Sequence, residues 1–338
     1  MRLRLPMRVI EFPRRPLLMG IVNVNDDSFS GDGTLDFQAA VRLAQAQVRA
    51  GADVIDVGAE SARTNRGVIP VEEEIRRFQG FLSQWEDVWC GVDPRDDEQI
   101  WPPVLSVNTW RPEVVEKLLP HGRIELLNDM GALPDDRNAR SCALHGTALL
   151  VMHSVGEPKV PHLHQQWDDV MGAMERFFEE KLELCASAGL SAESVVLDPG
   201  IDFAKQRDDN LTVYRNLDRL RHFERPVLVP VSRKTVIGEV LGLPDPKDRD
   251  AGGIACISAS MSAGAEIFRV HNVDAAWQAV KVLHALGCIT PPATRRDPGA
   301  VSSETTGRSR PSPDTFVSFS REAWETRRES KHPQPGPM

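Results

Sequence analysis

Residues 17–58 contain Leu17-Leu18-Met19-Gly20-Ile21-Val22-Asn23-Val24, then FQAAVRLAQAQVRA at 37–50, then Asp53-Val54-Ile55-Asp56-Val57-Gly58. The two flanking runs are apolar almost without interruption, the pattern of strands buried on both faces. Between them the apolar residues recur at helical spacing, so the stretch reads as strand, helix, strand. The same rhythm continues along the chain. Further strand-like runs fall at 104–107, 125–128, 148–152, 194–197, 226–231 and 266–270, and helical spacing recurs at 71–89, 167–188, 211–220 and 274–286. Eight such units in about 270 residues match the size of a (β/α)8 TIM barrel. A doubly wound open sheet is the alternative, but no Gly-x-Gly-x-x-Gly follows the first strand. The sequence therefore predicts an α/β fold of one barrel domain over 17–289, preceded by a lead-in at 1–16.

The rest of the chain narrows the class of protein. The 338 residues carry 40 Lys+Arg against 49 Asp+Glu, a formal net charge of −9, with no basic block, which speaks against nucleic acid as a partner. No apolar run approaches the roughly 20 residues needed to cross a bilayer, so no membrane role is expected. The start, MRLRLPMRVIEFPRR, has no apolar stretch or cleavage site of a signal peptide. Cys90, Cys142, Cys185, Cys256 and Cys288 are scattered and odd in number, which fits a reducing cytoplasm. After about residue 289 the composition turns to Pro, Ser, Thr, Gly and Arg, and 290–338 reads as a mostly disordered tail with a short helix around 320–331.

A barrel places its active site at the C-terminal ends of its strands. In this sequence each strand ends in polar residues, among them Asn23, Asp56, Asn108, Asn128, His153, Asp198, Lys234, Arg269 and His271. Asp198, before Pro199-Gly200, is suited to a ligand offering two parallel N–H donors, such as a 2-amino-pyrimidinone edge. Asn128 can present both an acceptor and donors to the same ring; it could equally bond its own backbone. Lys234 supplies a cation, or is an exposed lysine at a helix start. Arg269 and His271 alternate on the last strand and, with Asn23 on the neighbouring first strand, suit an anion or a metal–phosphate group. Mg²⁺ takes few protein ligands beside phosphate oxygens and water, so one Asn or Asp is enough. The group His153, His162 and His164 has no zinc-site spacing. No nucleophile motif, phosphate loop or HExxH is present. The site reads as one that binds a flat heterocycle, neutralises phosphate and works by positioning and electrostatics.

Eight stretches carry a resemblance: MGIVNVNDDSFS, GADVIDVGAESAR, VLSVNTWRPEV, LLNDMGA, LVMHSVGEP, VVLDPGIDFAK, VLVPVSRKTVIG and GAEIFRVHNV, in order over 17–273. Together they resemble dihydropteroate synthase, a family of pterin-binding barrels. The resemblance implies condensation of 6-hydroxymethyl-7,8-dihydropterin diphosphate with p-aminobenzoate, releasing pyrophosphate, in folate biosynthesis. It implies that Asn128, Asp198 and Lys234 hold the pterin, with Met152 and Phe203 packing around its ring. It implies that Asn23, Arg269 and His271 hold the diphosphate, with Mg²⁺ at Asn23. Phe29 and Arg63 would lie in two loops that help form the p-aminobenzoate pocket, the site of sulfonamide drugs. The family also allows a homodimer through its outer helices.

The departures from the family pattern cluster. A third-strand Asp of the family is Asn108 here, which keeps a hydrogen bond but loses a charge suited to a pterin cation. The loop pattern Ser-Thr-Arg-Pro-Gly reads Ser61-Ala62-Arg63-Thr64-Asn65, and Gly-Phe-Gly-Lys reads Asp202-Phe203-Ala204-Lys205. The sequence thus implies a synthase with altered loops. The alternative is a divergent paralogue that binds a pterin but uses another amine or has lost the synthase step.

Overall fold

The computed structural model describes residues 1–25, 33–60, 67–156, 158–160 and 165–288. All of them belong to the compact unit Met1–Thr294. Of the residues singled out above, Phe29, Ser61, Ala62, Arg63, Thr64, Asn65, His162, His164 and the segment 290–338 lie outside the described residues.

A short hairpin comes first, β1 (Arg2–Arg4) against β2 (Val9–Glu11), antiparallel. Eight barrel strands follow: β3 (Leu17–Asn23), β4 (Val54–Gly58), β5 (Val104–Asn108), β6 (Leu126–Asp129), β7 (Ala148–Met152), β8 (Val195–Asp198), β9 (Leu228–Pro230) and β10 (Ile267–Val270). The helices are α1 (Phe37–Arg49), α2 (Val71–Leu82), α3 (Pro112–Leu118), α4 (Arg137–His145), α5 (Val170–Ser187), α6 (Arg207–Arg215), α7 (Thr235–Leu241), α8 (Asp250–Ala263) and α9 (Val273–Ala285). The barrel strands run parallel in the order β8-β7-β6-β5-β4-β3-β10-β9. A parallel bridge between Leu197 and Val227, with the Leu197 N–H donating to the Pro226 carbonyl at 2.9 Å, brings β8 to the start of β9 and closes the ring. The eight strands expected from the apolar runs are the eight strands of the barrel.

Two helical expectations change in detail. The spacing predicts one helix over 71–89, but α2 stops at Leu82. The Ser83 hydroxyl and the Gln84 amide both donate to the Gly80 carbonyl, diverting it from the helical ladder, and a 3₁₀ turn follows at Trp85–Val88. The segment 211–220 divides between α6 and a 3₁₀ stretch, Leu217–Phe223, at Asn216, whose side chain donates to the Thr212 carbonyl.

Alternation along the strands creates two separate apolar layers. Leu18, Ile55, Val107, Leu127, Val151 and Phe268 face the helices. Met19, Val54, Val104, Leu150, Val196 and Leu228 fill the barrel interior. Leu3, Leu5, Ile10 and Phe12 of the hairpin segment belong to that interior layer and are all buried. The lead-in thus packs into the N-terminal end of the barrel, leaving the polar strand ends at the other. Arg15 beside it is fully buried and forked onto Asp53, whose carboxylate also accepts from the Leu18 and Ile100 N–H groups. That carboxylate joins the lead-in, β3 and the approach to β5.

Candidate active site

Above the apolar interior layer the inward positions turn polar. Asp56, in the middle of β4, is completely buried. Its carboxylate accepts from the Ser106 hydroxyl on β5 at 2.6 Å, from the Asn128 amide on β6 at 3.0 Å and from the Arg269 Nε on β10 at 2.8 Å. Four strands therefore meet at one carboxylate. A buried charge with three donors, one of them cationic, is the arrangement that makes such burial tolerable.

One rung higher, Asn23, Gly58, Asn108 and Asn128 stand side by side in register across β3, β4, β5 and β6. Gly58 has no side chain between its neighbours: a Cβ there would come within 3.5 Å of the Asn23 Oδ1. The rung is a shelf of three amides around an open position. Asn128 is buried, and with its Nδ2 committed to Asp56 its Oδ1 accepts no hydrogen bond from the described residues. An orphaned buried acceptor at a strand end is a place for a ligand N–H. The Asn108 Nδ2 points to the Met130 sulfur at 3.0 Å.

The opposite wall is built by the turn after β8. Asp198 is buried, paired in register with Met152 and held by the Gly200 N–H at 2.7 Å. Burial pushes its carboxyl up to about 6, against the pull of Gly200 and of Lys234, Lys205 and Arg269 nearby. Gly200 has φ +64, and a Cβ there would sit 2.0 Å from the His153 carbonyl oxygen, so only glycine fits. Lys205, also buried, donates to the carbonyls of His153, Gly200 and Phe203 and ties the turn together. The Lys234 Nζ donates to the Ile201 carbonyl at 2.8 Å and lies 5.2 Å from the centre of the Phe203 ring. Phe203 is half-buried against the interior layer that contains Met152.

The structure thus groups Asp198, Lys234, Phe203 and Met152 on one wall, and Asn128, Asn108, Asn23 and Arg269 around the shelf. His271 bonds through its Nδ1 and its N–H to the Ser232 hydroxyl, at 2.9 and 3.1 Å. His153 does not join the ring of polar strand ends. It packs against Trp167, Phe177 and Phe178 in the helix-facing layer, and burial pushes its imidazole down to about 2. Asp129 likewise faces away, accepting from Gly131 and Asn138 at the turn into α4. Among the described residues no group of three His, Cys, Asp or Glu side chains converges as a metal site.

Asp56 enters the sequence reading only as one polar strand end among several, with no role of its own. An aspartate inside a run that is otherwise Val, Ile and Gly is the available signal, since an unpaired mid-strand carboxylate facing an apolar interior is not tolerated.

A closed barrel with a buried acceptor shelf facing a carboxylate–lysine wall defines a binder of flat, hydrogen-bonding heterocycles. Residues 19–271 match the model of the family described as pterin binding enzyme. The dihydropteroate synthase of Neisseria meningitidis serogroup C is 35% identical over 277 residues, 81% of this chain and 93% of that protein. The structure of Yersinia pestis dihydropteroate synthase with a sulfonamide drug superposes with a TM-score of 0.75 at 31% identity, covering 85% of this chain and 99% of that one. The Thermus thermophilus enzyme in complex with 4-aminobenzoate gives 0.70 at 36% identity, covering 85% and 100%. This chain belongs to the pterin-binding enzyme family.

Proposed function

We propose that the chain is a dihydropteroate synthase, a transferase that joins 6-hydroxymethyl-7,8-dihydropterin diphosphate to p-aminobenzoate and releases pyrophosphate. The observation that carries this reading is the pairing of the orphaned Asn128 Oδ1 with the Asp198 carboxylate across a floor of Met152 and Phe203. A pterin presents ring N–H groups to both acceptors, and a charge-assisted pair at Asp198 fixes the ring's orientation. The Lys234 ammonium, half-buried beside the Phe203 ring, adds a donor for the ring carbonyl or nitrogen.

In the proposed reaction the bond between the pterin methylene carbon and the diphosphate oxygen breaks, the electron pair leaving with pyrophosphate. The arylamine nitrogen forms the new C–N bond and loses a proton to solvent. Arg269 and His271 receive the diphosphate. Asp56 holds the Arg269 Nε, which leaves the guanidinium's terminal nitrogens for phosphate oxygens. Asp198 and the shelf amides stabilise the positive charge that spreads over the pterin as the leaving group departs, with no reorganisation at the moment of reaction.

A Mg²⁺ ion would be held by the Asn23 amide oxygen, which lies beside Gly58. A single neutral oxygen suits an ion that takes its other ligands from diphosphate and water. The ion would neutralise charge on the departing diphosphate. We place Phe29 and Arg63 in the arylamine subsite. We also propose a homodimer through the outer helices, supported by the exposed Val240 and Leu241 at the end of α7. Five free cysteines support a reducing, cytoplasmic setting. No described helix is long and apolar enough to cross a membrane. Incubation with both substrates and Mg²⁺, followed by mass spectrometry for 7,8-dihydropteroate, tests the reading; absence of that product with pterin still bound would refute it.

A further inference from the structure

Strands β9 and β10 pair as far as Pro230 and Arg269. Carried two residues further, the same register sets Ser232 opposite His271. There a side chain takes over from the ladder. The Ser232 hydroxyl oxygen accepts the His271 N–H at 3.1 Å and lies 2.9 Å from the His271 Nδ1. Among the described residues the hydroxyl has no other hydrogen-bond partner. A serine hydroxyl has one proton to give, and its oxygen already accepts from the backbone, so the acceptor for that proton is Nδ1. A neutral imidazole that accepts at Nδ1 carries its own proton on Nε2.

The pair is held from behind. Arg233, next to Ser232, has φ +58, a left-handed conformation that costs energy and persists where its surroundings hold it. Its Nε donates to the Asp250 Oδ1 at 3.0 Å, and the Arg249 Nη1 donates to its carbonyl at 3.1 Å. Asn272, next to His271, donates from its Nδ2 to the Asp250 Oδ2 at 3.2 Å. One carboxylate at the start of α8 thus grips the residue after Ser232 and the residue after His271, and fixes the spacing between the two. Arg269 is held in the same manner, its Nε bonded to the buried Asp56. Arg269 and His271 are two positions apart at the end of β10, so their side chains share a face. Each is bonded through one nitrogen to a fixed oxygen, and that bond sets the direction of the rest of the group.

We infer that Ser232 is a positioning residue that selects the Nε2–H form of His271 and aims it as a donor at the diphosphate. This rests on the synthase reading, in which Arg269 and His271 receive that group. The other tautomer would turn a ring lone pair toward the phosphate oxygens, and a ring free to rotate would lose the alignment on which such a contact depends. Lys234, two residues beyond Ser232, is held separately: its Nζ donates to the Ile201 carbonyl at 2.8 Å, and its own carbonyl accepts from Arg249 at 3.2 Å. Affinity for the pterin ring therefore reports whether the turn itself has moved.

The test compares Ser232→Ala and Ser232→Thr in the full chain. In Ser232→Ala the KM for the pterin diphosphate and the Kd for inorganic pyrophosphate with Mg²⁺, by calorimetry, should rise about tenfold. The KM for p-aminobenzoate and the Kd for 6-hydroxymethyl-7,8-dihydropterin, which lacks the diphosphate, should stay within about twofold. Ser232→Thr, which keeps the hydroxyl, should restore most of the loss. Long-range proton–nitrogen NMR spectra of histidine-labelled protein, with His271 identified by its loss in His271→Gln, should show Nε2–H in the parent and a mixture of tautomers in Ser232→Ala. If Ser232→Ala does not fold, Ser232→Gly is read by the same criteria. A parent ring protonated at Nδ1 alone, unchanged pyrophosphate affinity in the folded variant, or a matching fall in pterin affinity overturns the inference alone. Pyrophosphate binding that His271→Gln leaves unchanged overturns the assignment of the diphosphate first, and the inference with it. A parent with no p-aminobenzoate-dependent release overturns the synthase reading, while the pyrophosphate Kd and the spectra still decide the role of Ser232.

Discussion

The Arg269 Nε donates to the Asp56 Oδ2 at 2.8 Å, joining two residues 213 positions apart across the intervening strand β3. The same carboxylate orients Ser106 and Asn128. One buried charge therefore sets both the cation assigned to the diphosphate and the amide assigned to the pterin. Asp56→Asn removes the charge while keeping the shape. It should lower kcat/KM about 100-fold, some 3 kcal/mol of transition-state stabilisation, with the fold retained by circular dichroism. A variant within a few-fold of the parent would remove Asp56 from the account.

Asp198 gives a prediction in which stability and binding move in opposite directions. Burial raises its carboxyl from the ordinary 3.8 to about 6. Between those values the folded protein holds a proton that the unfolded chain has lost, so its contribution to stability falls as pH rises through this window. At about 1.4 kcal/mol per pH unit the cost above pH 6 is roughly 3 kcal/mol. Asp198→Asn should therefore melt higher than the parent at pH 8, with the difference fading toward pH 4, yet lose pterin binding by calorimetry. In the parent, pterin affinity should weaken as pH falls through about 6, because only the carboxylate accepts two N–H bonds. Unchanged pterin affinity in the variant would sink the pocket assignment.

The turn after β8 holds two residues other than glycine in left-handed conformations. Asp202 and Ala204 have left-handed backbones, at φ +69 and +49, a region that favours glycine. Asp202 is compensated, since its carboxylate caps α7 through the Thr235 and Val236 N–H groups. Ala204 makes no such side-chain bond. Ala204→Gly should stabilise the protein by about 1 kcal/mol, whereas Asp202→Gly should not, because loss of the cap costs about as much. Thermal melts of the two variants decide it; equal stabilisation by both would contradict the capping role.

Asn108 stands beside Asn128 on the shelf, half-buried, at the position the resemblance compares with an aspartate. A carboxylate there would face the positive charge developing on the pterin. Asn108→Asp should raise kcat about tenfold with little change in the KM for p-aminobenzoate. A fall in kcat would mean that the amide is part of this shelf's own design.

Much of the barrel is legible in the chain itself. Runs such as Leu17–Asn23 and Val54–Gly58 are continuous because both faces of a barrel strand are buried, and that signal is local. The turn residues Asp198 and Gly200 announce themselves by sitting beside proline. What escapes is non-local or short. The hairpin of Arg2–Arg4 and Val9–Glu11 has three-residue strands, too brief for alternation to register, although Leu3 and Ile10 fill the barrel end. Helix α8 is built largely of Ala, Gly and Ser and carries no clear apolar stripe. The roles of Asp56 and Ser232 depend on partners brought in by other strands and loops, and no spacing rule reaches that far. His153 reads as a polar strand end until the packing places it among Trp167, Phe177 and Phe178.

The most direct test of the central claim is pyrophosphate release by the purified protein with Mg²⁺ and 6-hydroxymethyl-7,8-dihydropterin diphosphate, measured with and without p-aminobenzoate. A dihydropteroate synthase gives release that depends on p-aminobenzoate and saturates with it. Release that is indifferent to the amine, or no release although the pterin binds, would contradict the synthase reading.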